Sequence, residues 1–523
     1  MKNIFMPLIL ALSLSAQPAV AAKASLSAAD ALYEKRLFTK ACESYEAAAK
    51  TASGDERLRA VYRAVESRAL TFAYGEAAQL LLSEPLPQNT VWRARFLLLK
   101  AELFRQYLTQ YGYGLPADRQ EGSADVTKWT SAQWHEQIAA SYEQLWPLRA
   151  ALRDVRLEQE SYFIRKGEPP SEDFPTLWDF AVYRWTDYLL GQAPEGELLP
   201  DAGSFVSSKY ADRVDFAHPP AKLAAALMAE AAGASNGKNR LKASEVWQLK
   251  RLLIPFEHQN KVRAPENMKL LRDRAIEILQ SWMELFAVPE SKADTAAQAA
   301  LFLEQNQKYA QAVALCQKAD SLWHGTLGAR KCLNIQARIE MPSLSLSARN
   351  TPPSGKKAFS YTARNVERIY CKLYRTSQEE LRRLSRRHVD RDYSHLLGLD
   401  QQALAVFLDK RPDREWSESP TYSAPYVYVS GEADAPSLEP GLYVLAISDG
   451  KSFRTGSDIL QAGIINCTEI FLLGSSGFMA KPAELFFDPR QGSRNFSADG
   501  FHLYAVNALN GKPLQTAAVR AYY

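Results

Sequence analysis

Four residues at close spacing are the first candidates for chemistry. His388, Asp390, Asp392 and His395 stand as His-x-Asp-x-Asp-x-x-His, and imidazole and carboxylate groups are both metal ligands. They are embedded in Arg382-Arg-Leu-Ser-Arg-Arg-His-Val-Asp-Arg391. Cations at that density repel a further cation, so no metal is expected there, and the segment reads as a solvated helical insert between two strands. Its arginines (Arg382, Arg383, Arg386, Arg387, Arg391) would attract a polyanion if they stood alone. Glu379, Glu380, Asp390 and Asp392 flank them, and that mixture of signs points to a surface ion-pair network instead of a nucleic-acid site.

Cysteine offers the second chemistry. A hairpin turn near His324-Gly325 would bring Cys316 and Cys332 to nearly equal heights on antiparallel helices. Two readings stay open: a disulfide, if the Cα atoms lie within about 7 Å, or two buried thiols. Cys371 shares a strand face with Ile369 and Leu373, which makes it an inert core residue. Aromatic residues crowd Trp129 to Trp146. The helical spacing of Trp134, Ile138, Tyr142, Leu145 and Trp146 predicts a packed core face, not a sugar platform.

No nucleotide, phosphate, zinc-protease, redox or nucleophile-elbow motif occurs in the chain, and its seven histidines belong to no known catalytic pattern. The expectation is a non-enzyme without a cofactor.

The elements that carry these residues follow from composition and period. The chain has 523 residues, 46% hydrophobic and 23% charged, an ordinary globular composition of several domains. Sixty-three basic against 59 acidic residues leave a formal charge of +4, too balanced to announce a nucleic-acid or membrane-surface protein. Lys2, the apolar run from Phe5 to Leu14 and the small residues Ala19-Val-Ala21 read as a signal peptide cut before Ala22. The run is too short to span a bilayer, which takes about 20 apolar residues. The expected location is exported, in the periplasm or cell envelope, with no transmembrane segment in the mature chain.

Residues 22–340 have apolar positions recurring at three and four, the period of helices. Ala94 to Tyr107 and Met268 to Phe286 are the clearest cases, and loops are expected at 112–122, 167–174, 193–204 and 232–238. A weak repeat runs through this half. Phe38-x-x-Ala41-x-x-x-Tyr45-x-x-Ala48 and Tyr309-x-x-Ala312-x-x-x-Cys316-x-x-Ala319 share one template, and Tyr74-x-x-Ala77-x-x-x-Leu81 repeats its first part 36 residues after the first copy. The pattern resembles the second helix of a tetratricopeptide repeat, whose period is about 34 residues. Plain antiparallel helix hairpins are the alternative.

From Met341 the period becomes two. Leu344, Leu346 and Ala348, then Ile369, Cys371 and Leu373, then Tyr426 to Val429 and Leu442 to Ile447 predict short strands of an antiparallel sandwich. Helices first and strands after indicate separate domains: a signal peptide at 1–21, an all-helical domain at 22–340, a β-sandwich at 341–465 and an incomplete second sandwich at 466–523.

The chain resembles the N-terminal portion of bacterial alpha-2-macroglobulin-like proteins. The resemblance is carried by Trp129-Thr-Ser-Ala-Gln133, Pro175-Thr-Leu-Trp-Asp-Phe180, Ala314-Leu-Cys-Gln-Lys-Ala319, Ala329-Arg-Lys-Cys332, Pro342-Ser-Leu-Ser-Leu346, Tyr361 to Arg375, Glu439-Pro-Gly-Leu-Tyr-Val-Leu445 and Gly511-Lys-Pro-Leu514 with Ala518-Val519. It implies a TPR-like helical region, a first macroglobulin domain and the opening hairpin of a second, in a protein that traps proteases. Family members present a bait segment, and some capture the protease through a thioester. Cys467-Thr-Glu469 is followed by Ile470, so no thioester is expected, and no functional residue of the family carries over. Phe501 to Asn507 and Ala518 to Tyr523 are expected to pair across Asn510-Gly511, leaving the chain inside a domain. Proteases are the implied partners. The other expectation is a stand-alone envelope protein that binds a partner on its helical-repeat surface.

Overall fold

Helix boundaries in the N-terminal half follow local capping chemistry. Ser25 caps α1 (Leu26–Glu34), and the Asn89 side chain accepts from Val91 and Trp92 at the start of α5 (Thr90–Tyr111). Thr130 with Gln133, and Thr176 with Asp179, close capping boxes at the start of α6 (Ser131–Glu143) and α8 (Leu177–Gln192). Between them lie α2 (Phe38–Thr51), α3 (Gly54–Leu70), α4 (Tyr74–Ser83) and the short α7 (Arg149–Leu152). Then follow α9 (Ala202–Phe205), α10 (Pro220–Gly237), α11 (Leu241–Glu257), α12 (Pro265–Leu285), α13 (Pro289–Gln305), α14 (Tyr309–Trp323) and α15 (Leu327–Glu340). The computed structural model describes residues 25–117, 125–164, 169–196, 202–258, 265–348, 357–377, 379–381, 383–384, 401–434, 438–439, 441–467, 470–474, 481–482 and 503–507. The signal peptide expected at 1–21 lies outside them.

The repeat template marks real equivalence at the level of the backbone. Ala41, Tyr45 and Ala48 of α2 are buried, as are Ala77 and Leu81 of α4 and Ala312, Cys316 and Ala319 of α14. Each of these helices is entered through the same tight turn. Arg36, Phe72 and Gln307 adopt φ of +58°, +64° and +60°. The following amide then reaches back over the preceding helix end: Leu37 to the Leu32 carbonyl at 3.0 Å, Ala73 to Arg68 at 3.1 Å and Lys308 to Leu303 at 2.8 Å. This is the Schellman closure of a helix C-terminus. Asn239, with φ +58°, makes a fourth copy before α11, where Arg240 donates to Ser235 at 2.9 Å. The loop expected at 232–238 is therefore mostly helix. Ala231, Ala232 and Ser235 are buried in α10, which packs along α11, and the turn shrinks to the residues after Gly237.

The chain divides into two compact units, Met1–Leu271 and Arg272–Tyr523. Element type changes at residue 341, as the period predicts, but the units divide earlier. The last three helices, α13 to α15, pack on one another and belong with the strands that follow. Gly328 at the start of α15 permits a very close helix crossing: a Cβ there would lie 2.2 Å from the backbone carbon of Ala293 in α13.

Two antiparallel sheets follow. One has the order β1–β2–β5 (Ser343–Ala348, Lys357–Arg364, Val429–Asp434). The other has the order β4–β3–β6–β7 (Arg414–Glu418, Ile369–Thr376, Gly441–Ser448, Leu460–Cys467). Alternation places Leu344, Phe359, Ala363 and Ala433 of the first sheet against Ile369, Cys371, Leu373, Leu445, Ile447 and Ile465 of the second in one apolar core. A two-sheet sandwich built on this pattern is what the period of two predicts. The outer face of the four-stranded sheet is covered by α16 (Gln401–Leu408), whose Leu404 and Phe407 pack on Tyr374, Val444 and Ala446. The strand expected at Tyr426 begins only at Val429, because Tyr426 is held at φ +65°, a turn conformation that a strand cannot contain. A third sheet has the order β10–β8–β9 (Leu503–Asn507, Ile470–Gly474, Lys481–Pro482). β10 pairs antiparallel with β8. Its expected partner at 518–523 lies outside the described residues.

Candidate functional site

The sequence-derived candidates fare unequally. His388, Asp390, Asp392 and His395, with Arg382, Arg386, Arg387 and Arg391, lie outside the described residues. Among those described, no group of three or more His, Cys, Asp or Glu side chains is arranged to hold a metal. Nearby, Glu380 accepts from Lys410 at 2.5 Å and from the Thr376 hydroxyl at 3.0 Å. Of the core face that the spacing predicts, Trp134, Ile138, Tyr142 and Leu145 are fully buried, and the Trp134 ring stacks on Tyr107 at 4.2 Å; Trp146, expected with them, is only half-buried.

Cys316 and Cys332 are brought together by α14 and α15, both fully buried. Both thiols are free, as are those of Cys42 and Cys371; no disulfide joins them here. They lie within hydrogen-bonding reach of each other, and that bond, followed by burial, pushes the Cys316 thiol far above its ordinary pKa. Burial likewise raises Cys371. A thiol so protonated is a poor nucleophile.

The join between helix and sandwich is specific. Two residues separate α15 from β1. The last carbonyls of α15, which have no partner within the helix, are met by side chains from the corner after β2. Arg364 donates to the Arg338 carbonyl at 2.6 Å and Asn365 donates to the Ile339 carbonyl at 2.7 Å. Arg364 is only 6% exposed, with its guanidinium 4.5 Å from the Tyr428 ring centre. Asn365 reaches the carbonyl from φ +55°, a conformation that asparagine tolerates better than most residues.

An open concavity lies in the first unit, where α4, the end of α5 and the 3-10 turn Val126–Lys128 converge. Two adjoining cavities of about 300 and 430 Å³ share Tyr107, Tyr111 and Thr127 as walls. Gly75 lines the larger of the two. Rings run along it, edge to face from Phe72 to Tyr74 at 6.2 Å and from Tyr74 to Tyr111 at 6.2 Å, and tilted from Tyr107 to Tyr111 at 5.1 Å. Stacking on buried Trp134 fixes the Tyr107 wall. The Tyr111 hydroxyl donates to the Phe72 carbonyl at 3.1 Å.

No family model matches this chain, and no curated protein does.

Sequence reasoning missed this cleft. It treated Gly112 onward as a loop and looked for aromatics only in the stretch that proved to be core. The available signal was Tyr111-Gly-Tyr-Gly114, where two rings are set among glycines with no apolar period to bury them.

Proposed function

We propose that this chain is the non-catalytic N-terminal scaffold of an exported alpha-2-macroglobulin-like protease inhibitor, acting in the periplasm or cell envelope. In this reading the helical region mounts and orients a macroglobulin-type sandwich, and proteases are engaged by the assembled inhibitor. The observation that carries it is the Arg364–Asn365 clamp on the end of α15. A flexible linker would leave those carbonyls to water. Here the sandwich caps the helix, and a sandwich carried on a fixed helical mount is what an array of such domains requires. The three-plus-four arrangement of its sheets agrees with that assignment.

The test is the mass of the native protein in its source cell, probed with antibody to residues 26–340. A band far heavier than 58.5 kDa in the envelope fraction supports the scaffold reading, and co-purification of a protease with it names the target. A band near 58.5 kDa overturns it. The second reading, a stand-alone envelope protein that binds a partner through its helical surface, is favoured by the open aromatic cleft and would then take its place.

A further inference from the structure

Two nucleophilic side chains meet inside the last helix hairpin. Cys316 of α14 and Cys332 of α15 are both fully buried and lie within hydrogen-bonding reach of each other. The hairpin is built for that approach. Gly325 makes the turn at φ +82°, and Thr326 caps α15 by accepting from the Ala329 amide. The buried neighbours of Cys316 along α14 include Ala312 and Ala319, and Ala329 lies about one turn before Cys332. Small side chains there let two packed helices bring their thiols together, the arrangement a disulfide needs. The other described cysteines differ. Cys42 directs its thiol to Glu46 and the Ala64 carbonyl, and Cys371 stands among apolar side chains of the sandwich core.

The same burial decides when the pair can react. Disulfide exchange needs a thiolate with access to a second disulfide. Neither sulfur reaches solvent in the folded chain. Glu304 disfavours the thiolate at Cys316, and Asp294 and Asp320 disfavour it at Cys332. An unfolded chain has neither obstacle, since its thiols are exposed and titrate near the ordinary value of about 8.5.

We propose that Cys316 and Cys332 form a disulfide site that is open only while the chain folds. A molecule that folds in the presence of disulfides is stapled across the α14–α15 turn. One that folds reduced keeps both thiols and is closed to later oxidation, so the fold records the redox state of the compartment in which it formed. The co-reactant is a small-molecule or protein disulfide. One cysteine thiolate attacks it, forming a mixed disulfide and releasing half of the co-reactant as a thiol. The second cysteine gives up its proton, attacks the first cysteine's sulfur and releases the other half. Two S–H bonds are lost and one S–S bond is gained, and the two protons and two electrons leave in the two thiols released. The staple lies in the hairpin whose second helix ends under Arg364 and Asn365. This assignment does not depend on the scaffold reading; the site of folding in the cell decides only which form is made.

The test starts from the full chain, purified and fully reduced. One half is unfolded and refolded in a buffer of oxidised and reduced glutathione. The other half stays native in the same buffer for the same time. Free thiols are then alkylated under denaturing conditions and the peptides mapped by mass. The expected result is a Cys316–Cys332 link in most refolded molecules, with Cys42 and Cys371 alkylated. In the native sample the link should form at least about ten-fold more slowly, because it must wait for local opening. The oxidised form should melt roughly 6–12 °C above the reduced one, for a loop of this length in a unit of this size. Cys332→Ala taken through the same refolding should show no such shift, and the comparison of the two parent forms stands whether or not that variant folds. Refolding that leaves both thiols free, a link from either one to another cysteine, or oxidation of the native pair as fast as during refolding would each overturn the proposal.

Discussion

Replacing Arg364 with alanine removes three things at once. It deletes a charge-assisted hydrogen bond to the Arg338 carbonyl, worth about 1.5–3 kcal/mol. It removes a guanidinium lying 4.5 Å from the Tyr428 ring centre, worth about 0.5–1 kcal/mol. It also leaves a carbonyl at the end of α15 without its partner. The expected loss is about 3 kcal/mol in the unit that holds the sandwich, read by urea unfolding followed by fluorescence. In a unit of this size it corresponds to a fall of roughly 6–12 °C in melting temperature. Asn365 separates the side chain from the backbone. Asn365→Gly loses the amide bond to Ile339 but keeps the left-handed conformation free of cost, for a loss of about 1 kcal/mol. Asn365→Ala loses the same bond and must also hold φ +55° with a Cβ, for about 1 kcal/mol more. Hydrogen exchange at the last turn of α15 should rise in all three. If Arg364→Ala costs less than about 0.5 kcal/mol, the magnitude of an ordinary surface change, or if the glycine and alanine variants at Asn365 are equal, the clamp does not hold the sandwich and the reasoning fails.

Gly328→Ala should be among the most damaging single-methyl additions in the chain, since its Cβ would meet Ala293 backbone at 2.2 Å. Overpacking of this kind costs about 1–3 kcal/mol or more, and a melting curve within a degree of the parent would contradict the α13–α15 crossing. Glu160 is 1% exposed and takes both arms of Arg95 at 2.8 Å, so Glu160→Gln should cost about 3 kcal/mol. Glu158→Gln, which breaks the exposed pair with Arg156, should cost less than about 0.5 kcal/mol; equal effects in chemical denaturation would refute the burial argument. The adjacent thiols of Cys316 and Cys332 should be silent to a thiol reagent in the native reduced protein and should link on export into an oxidising compartment. Peptide mass mapping of the exported protein should find that pair joined, and its reduction should lower stability by about 3 kcal/mol for a loop of this length. Five thiols, the full cysteine complement of the chain, titrating only after denaturation would leave the pair as simple core.

Much of the architecture was legible along the chain because it rests on local chemistry. Apolar residues at three and four gave α2, α5, α12 and α14; the capping side chains at Asn89, Thr130, Thr176 and Thr326, which the period alone did not use, set their neighbours' starts in the structure. Strict alternation gave β1, β3 and β6 and assigned Cys371 to the core. The repeat template caught three helices whose small residues face inward. It missed the fourth copy at Asn239, because a shared turn is a property of backbone dihedrals and hydrogen bonds and not of side-chain type.

The sequence by itself determined which residues form helices and strands and which of their faces must leave water, because helix and strand periods and caps act within a few residues. Tertiary structure decided the rest. It joined the last three helices to the sandwich, let Arg364 donate to a carbonyl 26 residues earlier, and set Phe72 beside Tyr111, 39 residues away. The packing of those helices depends on how close two backbones can come, at Gly328. The ring contacts depend on which rings are left with no core to enter, and no local spacing encodes either.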